Sequence, residues 1–343
     1  MRALFALASV FAVFAAPKSF PPLGVIDLYG NRTTSPLEVR KALPFYEGDT
    51  IQFSQFDSQK RQTEEKLAEI PGVRQAFLTL VCCTADQKSM LYVGIEEDDS
   101  PCLQFLPEPV GAVRLPSQVI QASKDVEDAV REAVLKGNTT EDDSQGHALS
   151  SDSELRALQL RLVPLAESHL ATLKNVLHNS SDDEQRAVAA ELLGYVNDKQ
   201  SVVPDLVAAM KDPSSGVRNN AMRALEVFTK LIPKPPGQKI QVPSQPFTAL
   251  LNSCIWTDRN KSAAAVAEFT NSRDPALLTQ LAKEAFPSLG EMARWKNLGH
   301  ATSSLIILGR IGGLTEQEIS KDLDTGIRQA IIAAAEKVEA SHN

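Results

Sequence analysis

The four cysteines are the residues of this 343-residue chain whose chemistry is easiest to assign. Cys82 and Cys83 are adjacent in a segment with strand-like alternation, so their side chains point to opposite faces, which disfavours a bond between them. Cys102 follows shortly after, and Cys83 is its better partner because Cys82 falls on the inward side of the alternation. We therefore predict a Cys83–Cys102 disulfide, with three unpaired thiols as the alternative, while Cys254 stands alone.

The histidines are too dispersed to predict a metal site or an acid–base pair. They are His147, His169, His178, His300 and His342. No CxxC pair, P-loop, dinucleotide fingerprint or GxSxG motif occurs. The sequence therefore predicts no metal, no cofactor and no catalytic activity.

Three arginines recur at the start of Ala-rich helical segments. Arg186, Arg218 and Arg259 are each followed ten positions later by an apolar residue. Asp212 lies in the turn just before Arg218, so we predict a structural ion pair between these two residues. An anion-binding ladder of arginines is the alternative.

The elements that position these residues divide the chain into two parts, and the first spans residues 25–97. A β-prone run around Val25 is followed by a helix that opens at Pro36 and by a second helix with Asp57 as its N-cap. In residues 76–83 and 91–96, apolar residues then recur at every second position, which predicts a hairpin with one buried face.

This first part resembles a POTRA domain, a small β-α-α-β-β module of bacterial outer-membrane assembly and secretion machinery. The resemblance is carried by Gly30-Asn31, Gly48-Asp49, Pro71-Gly72-Val73 and a terminal Glu at Glu96 or Glu97. An unrelated small α+β domain is the alternative. POTRA domains bind polypeptides, and the resemblance implies an extended partner segment along the edge of the second strand. The candidate residues of that edge are Arg74, Phe77, Thr79 and Val81.

Beyond residue 153 the pattern becomes helical and repeats. The segments at Arg186 and Arg218 are 32 residues apart, and DPSSGVRNNA at 212–221 resembles HEAT and HEAT-like repeats, helical pairs that stack into a solenoid. An irregular helical bundle is the alternative. Trp256 and Trp295 are expected in the core, with exposed binding anchors as the alternative.

We therefore predict an α+β domain followed by an all-α HEAT-like solenoid. The predicted parts are a signal peptide at 1–16, the POTRA-like domain at 22–98, a Pro-rich and acidic linker with one short helix at 99–153, and the repeat domain at 154–340 with a Pro-rich insertion at 233–246. The acidic run within the linker, residues 137–153, is expected to be a solvated spacer, with a binding motif as the alternative.

A net charge of −8 argues against a nucleic-acid binder. The predicted function is a non-catalytic secreted adaptor or scaffold, expected in the periplasm or bound to the envelope. Its partners would be other proteins, one at the POTRA-like edge and a second on the helical array, and association with membrane proteins is compatible with this. HEAT-like repeats also resemble those of phycobilin lyases, so a chromophore- or enzyme-handling protein is one alternative, and a structural envelope protein is another.

Overall fold

The structure, a computed structural model, describes residues 19–100, 102–138, 140–231 and 240–340. It consists of a small N-terminal region with a β-sheet and a C-terminal array of helices. The predicted signal peptide at 1–16 lies outside the described residues, and the insertion at 233–246 is described only from residue 240. No helix within these ranges is both long and apolar enough to cross a membrane.

The N-terminal region has three strands and two helices in the predicted order β-α-α-β-β. They are β1 (Leu23–Tyr29), α1 (Pro36–Ala42), α2 (Phe53–Leu67), β2 (Val73–Val81) and β3 (Ser89–Glu97). The strand order in the sheet is β1-β3-β2, with β1 parallel and β2 antiparallel to β3. Because β3 lies in the centre, β1 and β2 form the two edges of this sheet.

Helix α2 begins earlier than the sequence predicts. Its N-cap was expected at Asp57, but the first helical residue is Phe53. The rings of Phe53 and Phe56 pack edge-on against Phe20, with centroids 4.4 and 5.7 Å away. This aromatic contact with the preceding segment anchors the first turn of a helix that is otherwise mostly polar.

The sheet is buried on both faces, so the predicted hairpin with one buried face is wrong. On one face, Leu91 and Val93 pack in a core shared with α1 and α2. On the other face, Met90 and Tyr92 belong to the core of the helical array. Every residue of β3 is buried as a consequence.

The helical array pairs an outer helix with an inner helix in successive repeats. After α3 (Ser117–Leu135) and α4 (Ser153–Ser168), the helices are α5 (Leu170–Asn179), α6 (Asp183–Leu193), α7 (Val203–Ala209), α8 (Ser215–Lys230), α9 (Gln245–Leu250), α10 (Trp256–Phe269), α11 (Pro275–Glu284), α12 (Phe286–Ala293), α13 (Leu298–Ile311), α14 (Glu316–Asp324) and α15 (Arg328–Ala340). Helices α6, α8, α10, α13 and α15 are the inner ones, and each packs on the next. This stacking is the geometry of an α-solenoid.

The acidic run at 137–153 packs on the array instead of forming the predicted solvated spacer. It contains two short paired strands, β4 (Glu141–Asp142) and β5 (Leu149–Ser150). Leu149 is fully buried and His147 is 8% exposed. The charges that suggested a spacer are compensated by basic side chains of the array, including Arg223 and Lys230.

Residues 102–115 form an extended segment along the turns that join outer to inner helices. The segment contacts one turn in each of three repeats, in the reverse of their order in the chain. The contacts are the Cys102–Cys254 disulfide, the Leu106 N–H to the Lys211 carbonyl at 2.8 Å, and the Gly111 N–H to the Asn179 carbonyl at 2.9 Å. The N-terminal region is therefore joined to the array along its length and is not tethered by a free linker.

The predicted Cys83–Cys102 disulfide is not formed. Cys102 is bonded to Cys254, with Cα atoms 5.8 Å apart, and Cys82 is bonded to Cys83. The chain turns away from the hairpin after β3, which places Cys102 beside the turn before α10. Pairing of distant cysteines depends on this docking, which the spacing of cysteines in the sequence does not reveal.

We expect the double substitution Cys102→Ser/Cys254→Ser to lower the free energy of unfolding by up to about 5 kcal/mol. The bond closes a loop of 152 residues, and the loop-entropy estimate for that length gives this value. The matched control is Cys82→Ser/Cys83→Ser, which should cost far less because a bond between neighbours constrains little of the unfolded chain. Urea unfolding under oxidising conditions compares the two variants, and equal losses would contradict the assignment.

Candidate functional site

The recurring arginines occupy one position in three successive inner helices, the fourth residue of each. Each guanidinium donates to the backbone carbonyl six residues before it and forms an ion pair with a carboxylate of the following repeat. The carbonyls belong to Ser180, Asp212 and Ser253, and the ion pairs are Arg186–Asp212 at 2.8 Å, Arg218–Asp258 at 2.8 Å and Arg259–Glu291 at 2.5 Å. We call this set the arginine ladder.

The predicted ion pair between Arg218 and Asp212 is not formed. Each of the two residues pairs with a residue of a neighbouring repeat instead, Asp212 with Arg186 and Arg218 with Asp258. Arg218 reaches only the backbone carbonyl of Asp212, at 2.7 Å. The Asp212 carboxylate instead accepts two hydrogen bonds from Arg186. Arg218 lies six residues after Asp212, so its guanidinium reaches the backbone of that turn. The Asp212 side chain points the other way, toward Arg186 on the preceding inner helix.

The N-terminal part of the chain covers each ladder arginine. The centroid of the Tyr29 ring lies 4.6 Å from the Arg259 guanidinium. The centroid of the Phe105 ring lies 3.7 Å from the Arg218 guanidinium. The third arginine, Arg186, has the Glu108 carboxylate at 3.8 Å. The three arginines are 0–2% exposed, so they are not accessible as an anion-binding surface.

An aromatic cluster joins the sheet to the inner helices. Trp256 and Trp295 are 7% and 2% exposed and lie in the core. Their ring centroids are 5.0 and 5.1 Å from that of Tyr92 on β3. The Tyr92 hydroxyl lies 2.6 Å from His300 Nδ1, which closes the cluster with a hydrogen bond.

The predicted edge residues lie on β2, which is an edge strand, but they do not all face solvent. Arg74 is exposed, whereas Phe77, Thr79 and Val81 are half-buried on the sheet face toward the array. Val81 packs directly against the core of the array. Their side chains are therefore less available to a partner than the sequence predicts.

The outward groups of β2 belong to its backbone, and one is already occupied. The Leu78 N–H donates to Glu64 Oε1 of α2 at 2.7 Å, so it points away from β3. By the alternation of a strand, the N–H groups of Ala76 and Leu80 point the same way. Sequence reasoning missed Glu64, because only the packing of α2 on β2 brings this helical residue to the strand.

A cleft lies between α3 and the inner helices α6 and α8. Its volume is about 790 Å³, within the range typical of ligand sites. Aliphatic side chains line much of the wall, including Val130, Val188 and Val227, and Glu191 and Arg223 supply charge. No sequence motif marked this cleft, because its walls come from segments far apart in the chain.

Burial shifts the pKa values of two titratable groups inside the array, Lys199 and His147. Lys199 Nζ donates to the Gly194 carbonyl and lies 2.9 Å from His147 Nδ1. Burial lowers the pKa of Lys199 to about 7 and that of His147 to about 4. Within the described ranges, no group of His, Cys, Asp and Glu side chains is arranged to hold a metal ion.

The family model of HEAT repeats matches residues 170–236. The predicted HEAT-like repeats are thus confirmed for this part of the array, and the POTRA-like identity of the sheet stays a prediction. A designed armadillo repeat protein for modular peptide recognition is 16% identical, with a TM-score of 0.36, over 55% of this chain and 94% of its own. A designed armadillo repeat protein in complex with the peptide (KR)4 is 15% identical, with a TM-score of 0.35, over 55% and 95%. The search of curated proteins found no significant match.

We expect Arg218→Met to lower the free energy of unfolding by about 3–5 kcal/mol, because it leaves the Asp258 carboxylate buried without its cation. The matched control is Arg131→Ala, whose guanidinium is 61% exposed and pairs with neighbours on α3, and it should cost at most about 0.5 kcal/mol. Adding Asp258→Leu to Arg218→Met should recover part of the loss. Urea unfolding followed by circular dichroism measures all three, and similar losses for Arg218→Met and Arg131→Ala would refute a structural ladder.

Stability should also fall as the pH drops from about 6.5 to about 4. Burial lowers the pKa of His300 and of His147 to about 4, below the value near 6.5 of an unfolded histidine. The unfolded chain therefore binds more protons across this window, and the free energy of unfolding decreases toward acid. In His300→Gln this pH slope should become shallower, and in His147→Gln/His300→Gln shallower still. An unchanged slope in the double variant would show that other groups cause it.

Proposed function

We propose that this chain is a non-catalytic, exported protein-interaction scaffold that binds an extended segment of a partner along the outer side of β2. The match to HEAT repeats supports a scaffold role, since such arrays present large binding surfaces. The observation that carries the β2 assignment is the difference between the two edges of the sheet.

The edge at β1 is already covered by the chain itself. Leu23 exchanges backbone hydrogen bonds with the segment at residues 48–49. Further along the same strand, the Lys296 ammonium donates to the Ile26 carbonyl at 2.9 Å and the Lys296 N–H donates to the Asp27 carboxylate at 2.9 Å. A partner strand has no place on this side.

The edge at β2 offers its backbone to a partner. Within the described chain the only side chain that occupies an outward N–H of this strand is Glu64, at Leu78. An added strand gains affinity from main-chain hydrogen bonds along such an edge. Glu64 would have to move aside at one position, so its carboxylate acts as a removable cover over the edge.

The N-terminal region is assigned here as POTRA-like, since its element order and its mixed three-stranded sheet suit that resemblance. Export is supported by the signal-peptide pattern and by two disulfides, which persist in oxidising compartments. We place the protein in the periplasm or at the envelope of a bacterium, as an accessory of outer-membrane assembly or secretion. In this proposal a second partner binds in the cleft between α3, α6 and α8.

The test is photo-crosslinking from Gln75, an exposed residue next to the outward backbone of β2, in intact cells of the source organism. Mass spectrometry of the captured species should show one membrane or secretion component enriched. Glu64→Ala should increase that capture, because it frees the Leu78 N–H. The matched control is Glu65→Ala, an exposed neighbour on the same helix.

Equal capture from Glu64→Ala and Glu65→Ala would argue against an edge covered by Glu64. Absence of capture from Gln75, together with clear capture from a crosslinker at Asn219 in the cleft, would assign the function to the array alone. In that case the N-terminal sheet serves to brace the solenoid.

A further inference from the structure

Glu191 is a half-buried carboxylate that differs from those paired with the arginine ladder. Asp212, Asp258 and Glu291 each have a ladder arginine as partner. Glu191 instead accepts a hydrogen bond from the Ser123 hydroxyl, at 2.6 Å, and forms no ion pair with any described residue. A carboxylate that is partly withdrawn from water and has no ion-pair partner gains from a nearby cation, so this position favours a cation supplied from outside.

The position of Glu191 allows such a cation to reach it. The residue lines the cleft of about 790 Å³ between α3, α6 and α8. Its neighbour in the cleft, Arg223, is engaged by Glu141 of β4. Two further carboxylates, Glu127 and Glu184, line the mouth and are exposed, against one exposed ammonium at Lys124. The side chains that line the cleft therefore carry a net negative charge, and Glu191 has no ion-pair contact among the described residues.

The remaining surface of the cleft suits an alkyl chain. Val130, Val188 and Val227 form an aliphatic wall, and Val130 is 37% exposed. Ser123 already occupies Oε2 of Glu191, so the two-pronged pairing that a guanidinium prefers is hindered. An ammonium acts as a point charge and can use the second oxygen alone.

We propose that this cleft binds an alkylammonium group, the lysyl side chain of a partner's extended segment, with its ammonium on Glu191 and its methylenes on the aliphatic wall. This rests on the proposed scaffold function and names what the array recognises. Burial raises the pKa of the Glu191 carboxyl, and a bound ammonium lowers it again by favouring the charged form.

The experiment uses the full chain and the capped peptides Ala-Ala-Lys-Ala-Ala, Ala-Ala-Arg-Ala-Ala and Ala-Ala-norleucine-Ala-Ala, with 1,5-diaminopentane as the free amine. Saturation-transfer NMR titrations measure their affinities. The lysine peptide should bind more tightly than the arginine and norleucine peptides. Glu191→Gln should weaken it roughly ten- to hundredfold, because the charged hydrogen bond is lost while the Ser123 contact can remain.

The matched control is Glu336→Gln, which makes the same charge change at an exposed pair with Arg294 on other repeats. Thermal unfolding of both variants verifies that they are folded. Equal affinity for the lysine and norleucine peptides, or an equal effect of both substitutions, would overturn the proposal. Glu191-dependent binding of diaminopentane alone would overturn the peptide assignment in favour of a small amine. Since none of these probes requires β2, failure here is distinguishable from failure of the edge experiment.

Discussion

The arginine ladder is the interaction on which the rest of the structure depends. Each guanidinium binds a backbone carbonyl in the turn of its own repeat and a carboxylate of the next repeat. It therefore fixes where its inner helix begins and how that repeat packs on the next one. The three arginines, Asp212 and Asp258 are almost completely removed from water, and the Glu291 side chain is 26% exposed. Such buried pairs are weak evidence for net stability, but breaking one leaves an unpaired charge, so the repeats must stack in the register that satisfies all of them.

The same ladder positions the N-terminal half of the molecule. Tyr29 and Phe105 lie over two of its guanidinium groups, and the Cys102–Cys254 disulfide fixes the chain between them. The sheet is thus a structural cover for the turn side of the array. Its β2 edge and the cleft beside α3 consequently have a defined separation, so a partner that engages both must match that geometry.

Two carboxylates outside the ladder mark the surfaces where binding is proposed. Glu64 satisfies a backbone N–H on β2, and Glu191 accepts a hydrogen bond from the Ser123 hydroxyl in the cleft. Neither has the arginine that accompanies the carboxylates of the ladder. Their hydrogen bonds are replaceable by those of a partner, whereas the ladder pairs are enclosed by the fold.

The sequence by itself determined the local elements: the β-α-α-β-β order and the helical repeats follow from periodicity and turn residues, which act over a few positions. It also singled out Arg186, Arg218 and Arg259 as one recurring set. Tertiary structure alone decided which carboxylate each arginine meets, that Cys102 bonds to Cys254, that the acidic run packs on basic side chains, that Glu64 contacts the backbone of β2 and that Glu191 contacts Ser123. The physical reason is that these contacts join residues that are not neighbours in the chain, so only the folded arrangement of the helices and strands brings them together.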